Sequence, residues 1–222
     1  MKLPSVLRRV RETFLQAVWP VGAVCLSCDQ ISDGEPLCPA CRHSLQYEGI
    51  LSSWDFRTID GVRVWSMREH TGIPRDLVLS LKHGTCACAA DALMLPLRNR
   101  PEAFTLPAGT IVTWVPMPAV RKRERCIDHG RILAEAAAKE LGLECRPLLI
   151  RLGNGRTQAT LSGADREKNL ANAFAPAEKI DSPVLLVDDV LTTGTTIRRC
   201  ADALRAGGAA DITALTMTHA SL

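Results

Sequence analysis

The sequence predicts an α/β protein, a mainly parallel sheet with helices on both faces, preceded by a small tetracysteine unit. Three observations carry this. From about residue 58 onward, short strand-like runs alternate with stretches of helical periodicity, the pattern of a sheet covered by its own crossover helices. One run, Val184 to Val187, is apolar at every position, as a strand buried on both faces must be. Four of the nine cysteines fall within the first 41 residues as two Cys-x-x-Cys pairs. The chain has 222 residues, 46% apolar and 23% charged, enough apolar side chain for a sizeable core and too much for extended disorder.

Along the chain, Leu3, Val6, Leu7, Val10, Phe14 and Leu15 recur at helical spacing, so residues 1–24 read as an amphipathic helix ending near Pro20. Gln16 and Pro20 interrupt the apolar stretch that follows, and no small-x-small cleavage site appears, which argues against a secretory signal. No apolar run reaches the ~18 residues that spanning a bilayer needs. The expected location is cytoplasmic, without membrane insertion, where stable disulfides are not expected. Residues 25–45 form the tetracysteine unit and residues 58–222 the main domain.

Within that domain Gly61 to Met67 alternates as a strand, and Ile73 to Leu81 and Cys86 to Leu97 read as helices. Ile111 to Val115 is a short β-branched run stopped by Pro116 and Pro118. Arg121 to Leu141 is the longest helical pattern, with Leu133, Ala137 and Leu141 on one face and Gly142 at its end. A polar stretch, Gly153 to Lys168, follows. Pro183 to Val187 is a strand, Ile197 to Leu204 a helix and Ile212 to Met217 a last strand.

A net charge of +3 and a pI near 8.4 are too mild for a polybasic tail, so any nucleic-acid contact must come from local clustering. Nine aromatics, with no row of Tyr or Phe, offer no base-stacking platform. The basic cluster Arg121, Lys122, Arg123 and Arg125 reads either as an anion site or as a solvated helix face.

Cys25, Cys28, Cys38 and Cys41 have the spacing of a tetrathiolate Zn²⁺ site, each Cys-x-x-Cys knuckle giving two ligands of a tetrahedron. A redox pair would leave half of the pattern unexplained, and four unrelated thiols would leave all of it. Four protein ligands close the coordination shell, so the zinc is expected to be structural. Cys86, Cys88, Cys126, Cys145 and Cys200 lack ligand spacing and read mostly as small core residues. His83 and His129 are assigned no proton transfer.

The sharpest pattern is Val184-Leu-Leu-Val-Asp188-Asp189-Val-Leu-Thr192-Thr193-Gly194-Thr195-Thr196, running directly into a helix. A buried strand delivers two carboxylates at its carboxyl edge, where open α/β sheets bind ligands. The loop then turns on Gly194 into a helix N-terminus, whose free N–H groups favour an anion. Carboxylates for hydroxyls beside uncharged donors for a monophosphate describe a ribose 5-phosphate. Strand-end acids with a capping threonine would explain either half alone, not both adjoining. No Gly-x-x-x-x-Gly-Lys-[Ser/Thr] occurs, and Gly153-Asn-Gly155 opens no strand-turn-helix, so P-loop and dinucleotide readings fail.

The segment Val184 to Thr196 resembles the 5-phosphoribosyl-1-pyrophosphate motif of type I phosphoribosyltransferases, and Val21 to Ala220 resembles the ComF family of competence-associated proteins. The paired cysteines, Leu81-Lys82-His83-Gly84, Val115-Pro116-Met117-Pro118, and Gln158, Leu161, Arg166, Asn169, Ala173 and Phe174 carry the second resemblance. It implies the type I phosphoribosyltransferase fold, with Asp188 and Asp189 as catalytic residues on the ribose hydroxyls. It further implies Thr192, Thr193, Gly194, Thr195 and Thr196 on the 5-phosphate, Pro116, Met117 and Arg125 near the pyrophosphate, and Arg151 to Arg166 as a mobile flap over the site, with Arg166 among the substrate contacts. Mg²⁺ would accompany the substrate, and single-stranded DNA and other competence proteins are the implied partners. Two activities follow from it, phosphoribosyl transfer or handling of single-stranded DNA, with sensing of phosphoribosyl pyrophosphate as a third. Where that family reads Arg-Gly-Phe-Asn-Gln, this chain reads Arg125-Cys126-Ile127-Asp128-His129.

Overall fold

The computed structural model describes residues 24–47, 54–83, 86–118, 127–152 and 173–220. The expected N-terminal helix, the basic cluster Arg121 to Arg125, and the whole Gly153 to Lys168 stretch with Arg166 lie outside the described residues.

Chain order is α1 (Pro39–Tyr47), β1 (Asp55–Ile59), β2 (Val62–Glu69), α2 (Gly72–His83), α3 (Ala89–Leu93), β3 (Ile111–Trp114), α4 (His129–Leu141), β4 (Glu144–Cys145), β5 (Leu149–Arg151), β6 (Phe174–Pro176), β7 (Val184–Leu191), α5 (Thr195–Ala206) and β8 (Ile212–His219). Six strands form one sheet in the order β1-β2-β8-β7-β3-β4, and β5 pairs with β6 in a separate antiparallel ribbon. Every pairing in the large sheet is parallel except β1 with β2. That exception is a hairpin the sequence reading missed: Asp60 and Gly61 both take positive φ, 47° and 76°, as a two-residue turn between twisted strands requires.

The middle strands have two buried faces. Leu185, Val187, Leu215 and Met217 pack with Leu77 and Leu81 of α2 and with Leu133 and Ala137 of α4. Val184, Leu186, Ile212 and Ala214 face the other way, onto Ile197, Cys200 and Leu204 of α5 and Phe174 of the ribbon. Helices thus cover both faces, several on one and α5 with the β5–β6 ribbon on the other. Cys25, Leu37, Cys38 and Leu45 join the first cluster, so the buried side chains of the tetracysteine unit share a core with α2 and α4.

Two predicted helices are shorter than their periodicity. Cys86 to Leu97 divides into α3 and a 3₁₀ turn, Leu95–Asn99, because Pro96 has no N–H to continue an α-helix. The described part of the Arg121 to Leu141 pattern begins as helix only at His129: Asp128 takes extended backbone, and its side chain accepts from the Arg131 N–H at 3.3 Å, a regular N-cap. Among the remaining cysteines, Cys86 and Cys200 are buried, as read, but Cys86 is disulfide-bonded to Cys88, with Cα atoms 5.2 Å apart.

Candidate functional site

β7 and β8 run in register from Val184↔Ile212 to Leu191↔His219, and their carboxyl ends open into a cavity of about 490 Å³. Asp188 and Asp189 stand on its floor. Thr192 and Thr196 line it from the loop that follows, Pro116 and Met117 from the loop after β3, and Arg151 from the ribbon. Thr193 and Thr195 are exposed beside it with their hydroxyls 3.0 Å apart. Gly194 turns the chain at φ 74° to start α5, with no side-chain cap on the first N–H groups. This turn needs glycine for its conformation; a Cβ there would also meet Ile59 Cδ1 of β1, a side-chain end that would have to rotate away.

The two carboxylates sit in opposite electrostatic surroundings. Burial, and then the neighbouring charge of Asp189, push Asp188 up to about 7, although its Oδ1 accepts the Asp189 N–H at 2.9 Å. Burial would raise Asp189 too, but a hydrogen bond from His129 and the charge of Lys82 outweigh it and hold the group below the usual carboxylate range. Both partners reach Asp189 Oδ2, His129 Nε2 at 3.1 Å and Lys82 Nζ at 3.1 Å. His129 Nδ1 is buried without a hydrogen-bond partner among the described residues. Behind them His70 Nδ1 meets Thr218 Oγ1 at 2.8 Å, and Thr218 donates to the Asp189 carbonyl at 3.3 Å. Burial, then the charges of Lys82 and Arg75, lower the His70 pKa, so this ring is neutral at pH 7.

Lys82, His129 and His70 are therefore cavity residues to which the sequence reading gave no role, while Arg151, expected at the start of the flap, lies in β5 and lines the cavity. Arg125 and Arg166 lie outside the described residues.

The burial of Asp188 has a measurable sign. Its carboxyl titrates near 3.8 when unfolded and near 7 in the fold, so the native state loses stability as pH rises between those values. Asp188→Asn, which keeps the acceptor oxygen, is expected to raise the Tm at pH 8 by about 2–4 °C, roughly 1 kcal/mol in a chain of this size, and to change it little at pH 4. Thermal unfolding at both pH values checks this; an equal shift at both would refute the assigned cause.

At the other end of the molecule the four sulfurs of Cys25, Cys28, Cys38 and Cys41 all lie within 4.8 Å of one another. Cys28 and Cys38 are 3.7 Å apart, and a tetrahedron with Zn–S near 2.3 Å requires about 3.8 Å. Burial pushes the Cys25 thiol up, but the amides of Cys38, Cys28 and Ser27 aimed at its sulfur bring it down to about 7, which favours the thiolate a metal needs. The donor set fits zinc.

Comparison with known proteins finds several similar to this chain. Residues 126–220 match the phosphoribosyl transferase domain family. The chain is 26% identical over 211 residues to competence protein F of Haemophilus influenzae, covering 85% of this chain and 87% of that one. It is 33% identical over 113 residues to the DNA utilization protein YhgH of Salmonella typhi, covering 48% of each. Similar solved structures include glutamine phosphoribosylpyrophosphate amidotransferase from B. subtilis, at 21% identity and TM-score 0.40, with 80% of this chain aligned to 30% of that one. Adenine phosphoribosyltransferase from Leishmania tarentolae aligns with 75% of this chain and 95% of its own, at 14% identity and TM-score 0.40. Residues 126–220 thus resemble phosphoribosyl transferase domains, in a chain that is similar along most of its length to competence protein F and carries a tetracysteine cluster ahead of the matched residues.

Proposed function

We propose that the chain binds 5-phosphoribosyl-1-pyrophosphate with Mg²⁺ at the carboxyl end of the sheet and transfers the phosphoribosyl group to a nucleophilic base or amine. The observation that supports this best is the continuity of Asp188 and Asp189 with the Gly194 turn and the open N-terminus of α5, all around one cavity. In this reading Asp188 and Asp189 accept hydrogen bonds from the ribose 2- and 3-hydroxyls and offset positive charge developing at C1. Thr192 to Thr196 and the first N–H groups of α5 hold the 5-phosphate. The loop of Pro116 and Met117 faces the pyrophosphate, and Arg125 and Arg166 complete the anion contacts.

The bond from C1 to the pyrophosphate oxygen breaks, a bond from C1 to the acceptor forms, and the acceptor proton passes to solvent. The carboxylate and hydroxyl oxygens of the site suit Mg²⁺, a hard cation that would neutralise phosphate charge. Everything else the chain supplies is placement and electrostatics. The zinc, held by Cys25, Cys28, Cys38 and Cys41, is structural in this reading.

A second reading, handling of single-stranded DNA with other competence proteins, draws support from the names of the two curated relatives. A third has the chain sense phosphoribosyl pyrophosphate without turnover. A pyrophosphate-release assay over a panel of bases and amines separates the first from the others. Release above the acceptor-free rate, lost in Asp189→Asn, is expected. Binding without release for every acceptor would favour the sensor, and a salt-dependent mobility shift with single-stranded DNA would favour the second reading.

A further inference from the structure

The described part of the loop after β3 that faces the pyrophosphate in the proposed reading is apolar: Val115, Pro116, Met117 and Pro118 bring no charged side chain. A diphosphate arm carries several negative charges, and beyond Mg²⁺, Arg125 and Arg166 it can take a cation from the described residues of the cavity. Among the described residues that line it, only Lys82 and Arg151 carry a fixed positive charge. Arg151 is already engaged: its guanidinium lies 5.1 Å from the centroid of the Phe174 ring, and Nη1 reaches the Pro116 carbonyl at 3.5 Å. Lys82 is held differently. It stands in the last turn of α2, and among the described residues its ion-pair partner is Asp189, at 3.1 Å.

That pairing uses an oxygen the ligand would also need. Asp189 Oδ2 already serves both Lys82 and His129, and a ribose hydroxyl arriving at this carboxylate competes with them. The hydroxyl is neutral, so it replaces the hydrogen bond but not the charge. Lys82 is only 27% exposed in its pairing, so once displaced its ammonium must find another anion, and its four-carbon stem lets it swing. We propose that Lys82 is the binding residue for the diphosphate arm of a phosphoribosyl ligand, stored on Asp189 while the site is empty and transferred to the phosphate oxygens when the ribose takes that carboxylate. The proposal rests on the phosphoribosyl reading and adds to it a cation contributed by α2. The same exchange makes the empty site electrically balanced and the filled site selective for ligands that carry both a hydroxylated sugar and a distal phosphate.

Calorimetric titration of wild type, Lys82→Met and Lys82→Arg with three probes tests this: inorganic pyrophosphate, ribose 5-phosphate, and phosphoribosyl pyrophosphate with Mg²⁺. Lys82→Met is expected to lose about tenfold to a hundredfold in affinity for the full ligand, the scale of one charged contact, and less for pyrophosphate alone, which brings no ribose to free the lysine from Asp189. Its affinity for ribose 5-phosphate is expected to hold or improve, because Asp189 has lost a competitor. Lys82→Arg, which keeps the charge, is expected to recover most of the binding of the full ligand. Unchanged affinity for phosphoribosyl pyrophosphate in Lys82→Met would overturn the proposal while leaving the phosphoribosyl site standing. Equal loss of all three probes in both variants would assign Lys82 to the structure of the site and overturn it as well. A wild type that binds none of the three would instead overturn the phosphoribosyl reading itself.

Discussion

Gly194→Val is expected to abolish binding of a phosphoribosyl ligand and to cost the fold roughly 2–5 kcal/mol, the sum of a β-branched residue forced to positive φ and an overpacked contact. The backbone there has φ 74°, and a Cβ would meet Ile59 Cδ1, the end of a half-buried side chain that can rotate away. The positive φ has no such relief: a β-branched residue is eased only if the turn opens, which moves Thr192 and Thr196 away from the cavity. Gly194→Ala meets the same φ with a smaller side chain and is expected to do a lesser share of the damage. Coupled loss of Tm and of ligand affinity, measured by thermal unfolding and calorimetry, is the expected result. A Gly194→Val protein that melts with wild type would show that the turn does not depend on glycine.

Loss of the metal is expected to have the second large effect. Wild-type protein purified without chelator should contain about one zinc per chain by metal analysis. Cys38→Ser should lose it, and the Tm should fall by about 6–12 °C, corresponding to roughly 3 kcal/mol or more. The damage should not stay local. Cys25, Leu37, Cys38 and Leu45 share a core with α2 and α4, Ser27 Oγ bonds Asp76 of α2 at 2.9 Å, and Arg68 of β2 donates to the Leu45 carbonyl at 2.6 Å. Because Lys82 stands in the last turn of α2, loosening the start of that helix should also disturb Asp189. Clearly substoichiometric zinc with no other metal in its place, or a Tm unmoved by verified metal removal, would contradict this.

What the sequence reveals about this protein is mostly what neighbours in sequence do together. The acidic strand end, the Gly194 turn and α5 form one continuous segment, so their chemistry can be read along the chain. The cysteine knuckles are legible for the same reason. The Asp60-Gly61 hairpin was also local, but the alternation of Asp55 to Ile59 is half polar because β1 is an edge strand with one face toward solvent, and the turn signal alone was not followed. The partners of Asp189 are a different matter. Lys82 and His129 come from the end of one helix and the start of another, and only the packing of α2 and α4 against the same face of the sheet brings both to one carboxylate oxygen. Asp128 illustrates the opposite risk, since a charge that reads as a repulsive neighbour of an anion site is here occupied as a helix cap.

The most direct test is calorimetric titration of the purified protein with phosphoribosyl pyrophosphate and Mg²⁺, repeated on Asp188→Asn and Asp189→Asn. Saturable binding of one ligand per chain is predicted for wild type, weakened by roughly 1–3 kcal/mol in each variant, the scale of a lost hydrogen bond to a charged group. Both variants should unfold cooperatively. No binding to wild type, or two asparagine variants that bind as tightly as wild type, would show that the acidic strand end does not hold a phosphoribosyl ligand.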